Sequence, residues 1–219
     1  MQFYQIIFDF DGVILNSHNI KTRAFYEIFY PYGKKIANQA KAYHEKNQGI
    51  SRYIKFRDIF KKFLKKKINK NEIRVLDFKF KKICFNKILK LKIPTLLIKF
   101  FKNKKKNYNF FISTGTPQKE IEKILRIKKI YKYFKGVYGY PSSKIQHIKR
   151  IIKNKKNTLF IGDALEDYYS AKYMKINFIL KEHSKNKNIL KNQKVYRIKN
   201  YKNFYKKLNC IFKKKYLTY

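Results

Sequence analysis

Two carboxylates one residue apart, at the end of an apolar run, are the first groups in this chain that could do chemistry. Ile6-Ile7-Phe8 runs directly into Asp9-Phe10-Asp11-Gly12-Val13. Residues i and i+2 of a strand share a face. If Gln5 to Phe8 is a buried strand, Asp9 and Asp11 leave its carboxyl end together, and Gly12 lets the backbone turn away. Two carboxylates held that close repel unless a cation lies between them or they share a proton. The stretch therefore points to a divalent metal and to two acids with different tasks. A strand followed by an ordinary Asp-Gly turn is the plainer alternative.

The elements that would position such groups can be read along the chain. Asn16-Ser17-His18-Asn19 offers helix-start residues, and helices are expected to Tyr30, over Lys34–Lys46, after Ser51 as N-cap, and over Glu72–Leu89. Pro94 can open a further helix to Lys105. From Tyr108 short apolar runs alternate with helical segments. Strands are expected at Asn109–Ser113, Gly136–Gly139, Thr158–Ile161 and Asn177–Leu180, with an edge strand at Val195–Ile198 and a closing helix at Phe204–Lys214. That alternation predicts a parallel α/β sheet, in which reacting groups collect at the carboxyl ends of strands. Four apolar runs do end in polar groups: Asp9/Asp11, Thr114/Gly115, the segment before Lys144, and Gly162/Asp163/Asp167.

The set Asp9-Phe10-Asp11-Gly12-Val13, Ser113-Thr114-Gly115, Lys144 and Gly162-Asp163-Ala164-Leu165-Glu166-Asp167 resembles the haloacid dehalogenase-like phosphohydrolases. Within them it is similar to the phosphoglycolate phosphatase and β-phosphoglucomutase-like group, which carries a helical cap after the first motif. The resemblance covers nearly the whole chain and weakens beyond about Glu182. It implies a Rossmann-like parallel sheet core, residues 1–16 and 90–219, interrupted by an all-helical cap, residues 17–89. It also implies a Mg²⁺-dependent phosphatase acting on a small phosphate monoester of the sugar phosphate or phosphoglycolate type.

On the same basis Asp9 is the expected nucleophile, forming an aspartyl-phosphate, and Asp11 the expected acid and base, protonated when substrate is bound. Mg²⁺ would be held by the Asp9 carboxylate, the Asp11 main-chain carbonyl and Asp163, with Asp167 acting nearby. Thr114 and the Gly115 amide would hold the phosphoryl oxygens, with Ser113 as the alternative one residue away. Lys144 would face phosphate and nucleophile; Lys149 is its competitor in a chain so rich in lysine. N-capping of the following helix is the plainer role for Asp163 and Asp167. Arg52, in the cap segment Gly49-Ile50-Ser51-Arg52, is the candidate for reading a second anionic group, a planar fork being suited to that task; the alternative is one more solvated charge. Asn16 and Thr95 stand where many relatives carry Asp and Gly. A phosphoglucomutase-like phosphoryl transferase would use the same residues. A dehalogenase is disfavoured, because a leaving halide needs no acid at Asp11.

Composition constrains partners. Lys and Arg number 55 against 13 Asp and Glu, a formal charge of +42 in 219 residues. A surface of that sign attracts polyanions. Yet lysine far outnumbers arginine, Ile, Phe, Tyr and Asn abound, and the lysines are spread from Lys21 to Lys215, the pattern of coding sequence drifting towards A and T. Weak, unspecific polyanion binding is expected, and a nucleic-acid-binding role is the remaining alternative class. Cys84 and Cys210 are too few and too far apart for a disulfide framework. The histidines form no metal spacing, and His18 is expected to be at the surface or capping. The apolar start stops at Asp9, so it is not expected to be a signal peptide. No apolar run approaches the roughly 20 residues a bilayer crossing needs. A cytoplasmic monomer is the expectation.

Overall fold

The computed structural model describes residues 4–104 and 107–213. β1 (Tyr4–Phe8) is followed by four helices: α1 (His18–Phe29), α2 (Lys34–Lys46), α3 (Arg52–Ile59) and α4 (Lys70–Lys90). Then come α5 (Thr95–Lys104), β2 (Tyr108–Pro117), α6 (Gln118–Ile127), β3 (Phe134–Tyr140), α7 (Lys144–Ile151), β4 (Thr158–Gly162), α8 (Leu165–Tyr173), β5 (Asn177–Lys181), β6 (Tyr196–Ile198) and α9 (Phe204–Lys213). The six strands form one parallel sheet in the order β3-β2-β1-β4-β5-β6. The chain winds outwards from β1 to β3 and then restarts on the other side of β1, so the sheet reverses direction there. In open α/β sheets the crevice at that reversal, beyond the strands' carboxyl ends, is where ligands bind.

β1 shows why the sheet forms as it does. Ile6, Ile7 and Phe8 are all fully buried, as expected for a central strand covered on both faces. Ile6 and Phe8 face one side, where Phe8 meets Phe101 of α5, Phe110 of β2 and Phe204 of α9 edge-on or tilted. Ile7 faces the other, with Ile148 and Ile151 of α7 and Tyr168 of α8. Each such side chain contributes roughly 1.5–3 kcal/mol by leaving water.

The four inserted helices close over their own aromatic cluster. Phe25 and Phe29 of α1 pack on Phe56 of α3, and Phe25 and Phe56 pack on Phe80 of α4. α4 begins two residues earlier than expected, because Asn69 and Glu72 form a reciprocal cap: the Glu72 amide donates to Asn69 Oδ1 at 2.9 Å and the Asn69 amide to Glu72 Oε2 at 2.7 Å. Ser51 precedes α3 as expected, but its buried hydroxyl caps nothing. β2 runs further than its apolar stretch, since pairing with β3 lapses after Ser113 and resumes at Pro117; Thr114, Gly115 and Thr116 lie in that irregular segment. No described helix is long and apolar enough to cross a membrane.

Candidate active site

Register brings the predicted residues together. Phe8 pairs with Ile112 on one side and Ile161 on the other, and the Asp9 amide donates to Ile161 O at 2.9 Å. Asp9, Thr114 and Asp163 therefore leave three adjacent strand ends. Ser143 caps α7 in a reciprocal pair with Gln146, which places Lys144 as the first helical residue. Lys144 Nζ lies 3.3 Å from Asp9 Oδ2 and is paired with Asp167 Oδ1. Asp9, Thr114, Lys144, Asp163 and Asp167 are all buried. Lys149, the competing lysine, is exposed on the far side of its helix.

Asp167 does two things at once. Its Oδ2 accepts from the Asp163 and Ala164 amides at 3.2 and 3.1 Å, capping α8, while Oδ1 takes Lys144. Asp9, Asp163 and Asp167 offer oxygens within 4.8 Å of one another. Asp9 Oδ1 is buried with no hydrogen-bond partner. Burial, and the negative charges of Asp167, Asp163 and Asp11, raise the Asp9 pKa well above the ordinary value against the pull of Lys144. An orphaned carboxylate oxygen beside two further carboxylates suits a hard divalent cation bound through oxygen, so the residues present fit such an ion.

Asp11 is held the other way. Burial pushes its pKa up, but the Lys21 charge and hydrogen bonds from Lys21, Ser17 and Thr116 outweigh it and leave the pKa lowered. Lys21 Nζ and Ser17 Oγ each donate to it at 2.5 Å, and Thr116 Oγ1 at 3.0 Å. The sequence predicts an Asp11 protonated when substrate is bound beside an ionised Asp9; the shifts set by the protein's own groups run upward at Asp9 and downward at Asp11. The reason is Lys21, one turn into α1, which sequence reasoning passed over among so many lysines.

Asp163 receives two imidazoles on one oxygen. His18 Nε2 lies 2.9 Å and His183 Nε2 3.2 Å from Oδ2. Burial would raise the Asp163 pKa, but the two histidines lower it to about 2. His183 Nδ1 accepts from the Lys185 amide, which leaves the proton on Nε2 to donate to Asp163. The Asp163 carbonyl accepts from Asn186 Nδ2 at 2.8 Å. His18 is thus not the surface or capping residue expected: it is buried, and the chain leaves room for it through Gly12 (φ +78°), where any side chain would overlap the imidazole and Asp163. His183 and Asn186 come from the segment beyond Glu182, where no motif marks them.

The other side chains are placed as follows. Thr114 is buried at the end of β2, and its Oγ1 accepts from the Thr116 amide at 3.2 Å. Ser113 is turned away: its hydroxyl donates to His147 Nδ1 at 2.9 Å, while His147 Nε2 donates to Gly139 O. Gly115 touches the cap, and a Cβ there would lie 2.7 Å from Gly49 O. Arg52 is buried, not solvated. Its guanidinium donates twice to Glu120 of α6, at 2.5 and 3.1 Å, and to Asp77 of α4 at 2.6 Å. Both of its expected roles, reading substrate or facing solvent, thus meet a guanidinium already engaged between cap and core.

These groups line a cavity of about 50 Å³, with Asp9, Asp11, Thr114 and Gly115 on the core side and Phe25, Arg52 and Lys55 among those on the cap side.

Comparison with known proteins agrees with this architecture. No curated protein matches the sequence. Among solved structures, a predicted phosphoglycolate phosphatase from Haemophilus somnus is 17% identical, with 94% of this chain and 98% of that one covered and a TM-score of 0.71. A predicted phosphatase from Clostridium acetobutylicum is 16% identical over 94% and 99% of the two chains, also at 0.71. YfnB of Bacillus subtilis, assigned to the same hydrolases and solved bound to magnesium, is 16% identical over 95% and 100%, at 0.66. At such identities the likeness is one of fold. The model of the haloacid dehalogenase-like hydrolases matches residues 6–181, and the chain belongs to that family.

Proposed function

We propose that the protein is a Mg²⁺-dependent phosphatase that hydrolyses a small phosphate monoester through an aspartyl-phosphate on Asp9. The observation that carries this reading is the buried, unpartnered Oδ1 of Asp9, a residue that lines one cavity together with Thr114 and Gly115. Mg²⁺ would be held by Asp9, Asp163 and the Asp11 main chain, with Asp167 beside them. Bound there, it would neutralise phosphoryl oxygens and keep Asp9 ionised. Thr114 and the Gly115 amide orient the phosphoryl group, and Lys144 sets a positive charge against it. An Asp9 carboxylate oxygen bonds to phosphorus as the ester P–O bond breaks, and the leaving oxygen takes a proton from Asp11. Asp11 then removes a proton from water, whose oxygen displaces Asp9 and releases inorganic phosphate, splitting one difficult step into two. General acid–base help of this kind is worth about 10²–10⁴-fold. Because Lys21 favours the carboxylate form of Asp11, the proton reaches the leaving oxygen from the Lys21 ammonium through Asp11, and the proton that Asp11 later takes from water returns to Lys21. Gly49 of the cap packs closely over Gly115 beside the reacting groups.

The test is hydrolysis of a chromogenic phosphate ester with Mg²⁺. Turnover should vanish with EDTA and in Asp9→Asn. Metal-independent turnover, or an active Asp9→Asn, refutes the reading. Release of inorganic phosphate, against isomerised sugar phosphate, separates phosphatase from mutase.

A further inference from the structure

Resting on the phosphatase reading for the part played by Lys144, we propose that His147 is a positioning residue for phosphoryl transfer. By joining Ser113 to Gly139 it fixes the first turn of α7, and so the Lys144 ammonium, against Thr114 at the end of β2. Neither His147 nor Ser113 lines the cavity; what the ring supplies is alignment.

The strand ladder does not align the segment that matters. Pairing of β2 with β3 is regular as far as Ser113, opposite Tyr138, and then lapses until Pro117, so Thr114 has no ladder partner on β3. Ser113 is the last regularly paired residue before that gap, and its hydroxyl donates to His147 Nδ1 at 2.9 Å. His147 stands one turn beyond Lys144 on the buried face of α7. Its Nε2 donates to Gly139 O at 3.2 Å. Gly139, near the end of β3, packs on the irregular segment itself: a Cβ there would lie 2.5 Å from Thr116 O, and the Gly139 amide donates to Gln118 Oε1 at 2.6 Å. The Tyr138 ring stacks on the imidazole at 5.7 Å and 29°. One buried ring thus ties β2, β3 and α7 together where β2 delivers Thr114 and α7 delivers Lys144.

Neither charge nor stability accounts for the pair. A carbonyl only accepts, so Nε2 carries the proton and Nδ1 of the neutral ring accepts from Ser113. Burial pulls the His147 pKa down to about 4 against the bond to Gly139, and the Lys144 and Arg150 charges add to the fall. The ring therefore brings no charge to the phosphoryl group. Two apolar side chains of the same shape would be nearly as stable as a buried hydrogen-bonded pair, whereas one member left alone is costly. What a hydrogen bond adds to packing is direction. Groups misplaced by about 1 Å lose about 100-fold in rate, and Lys144 Nζ stands 3.3 Å from Asp9 Oδ2.

The experiment measures kcat and KM on a chromogenic phosphate ester with Mg²⁺, together with Tm, in the wild type, His147→Leu, His147→Asn, Ser113→Ala and the double variant Ser113→Ala/His147→Leu. His147→Leu should lower kcat about 10–100-fold and move KM by no more than about threefold, the mark of an interaction felt in the transition state. His147→Asn, whose Oδ1 takes the place of Nδ1 before Ser113, should recover part of the loss. Ser113→Ala should lower kcat about fivefold or more, the scale of one hydrogen bond. The double variant leaves no unpaired hydroxyl, so it should melt above His147→Leu and still keep the low kcat. Wild-type kcat per folded molecule in His147→Leu, or its recovery in the double variant, shows a role in folding alone and overturns the proposal while the phosphatase stands. If His147→Leu does not fold, wild-type kcat in Ser113→Ala overturns it equally. A wild type that hydrolyses no phosphate ester sinks the phosphatase instead, and crystallography of the variants then decides: loss of histidine or hydroxyl should carry Lys144 Nζ beyond about 4 Å from Asp9, the limit of an ion pair. Lys144 and Thr114 standing unmoved there overturn the proposal.

Discussion

Replacing Lys144 with Met removes a cation that faces two buried carboxylates of the site, Asp9 and Asp167, and the cost can be worked from the structure. At 3.3 Å and an effective dielectric of about 20, the Lys144–Asp9 attraction alone is about 5 kcal/mol. The variant cannot lose that much, because an orphaned carboxylate escapes by taking up a proton. For a group whose ordinary pKa is 3.8, protonation at pH 7 costs at most about 4 kcal/mol, and at pH 5 about 1.6 kcal/mol, at 1.36 kcal/mol per unit. Breaking a buried pair typically costs about 3–5 kcal/mol, so the loss at pH 7 should be about 3–4 kcal/mol in all, since one proton taken up between the two carboxylates makes good the one charge removed. The sign follows from linkage: a carboxyl whose folded pKa is raised carries no penalty below its unfolded pKa and gains one as pH rises. Urea denaturation in EDTA should therefore show Lys144→Met destabilised by about 3–4 kcal/mol at pH 7 and by less than about 2 kcal/mol at pH 5. Saturating Mg²⁺ at pH 7 should return about 2.7 kcal/mol at a hundred times its dissociation constant. A loss equal at both pH values would mean that Lys144 matters for packing and that the charge argument is wrong.

Other expected outcomes concern the closure of the cap and the support of Asp163. Arg52→Met leaves Glu120 buried without a partner and should cost about 3 kcal/mol, or a Tm fall of about 6–12 °C in a chain of this size. Asp77 adds a pH signature. Burial raises its pKa but Arg52 outweighs that and holds it low, so its contribution is present above about pH 4 and is lost as pH falls; acid denaturation of Arg52→Met should lack that loss. Gly115→Ala drives a Cβ against Gly49 O and should depress kcat/KM at least about tenfold with core stability kept, which crystallography would show as an opened cap. His18→Ala or His183→Ala should weaken Mg²⁺ binding about 10–100-fold, the usual effect of removing a group that orients a ligand; calorimetry giving the wild-type affinity would refute the role assigned to both imidazoles.

What the residues declared by themselves was local. Short apolar runs alternating with helical segments predict the parallel sheet, their polar ends mark its reactive edge, and the resemblance of those ends to a known family nominates Asp9, Asp11, Thr114, Lys144, Asp163 and Asp167. Lys144 stood out from its neighbours only because Pro141-Ser142-Ser143 marks a helix start. What no local pattern contained was which side chains meet across the closed cap. Lysine is so common here that Lys21 and Lys55 carry no signal until folding buries them; Arg52 looked free until α4 and α6 brought Asp77 and Glu120 to it. His183 and Asn186 follow β5, more than 170 residues from Asp9, in a segment with no motif. Those assignments depend on desolvation and on contacts between distant elements, and both come into being only when the helical insertion packs down on the strand ends.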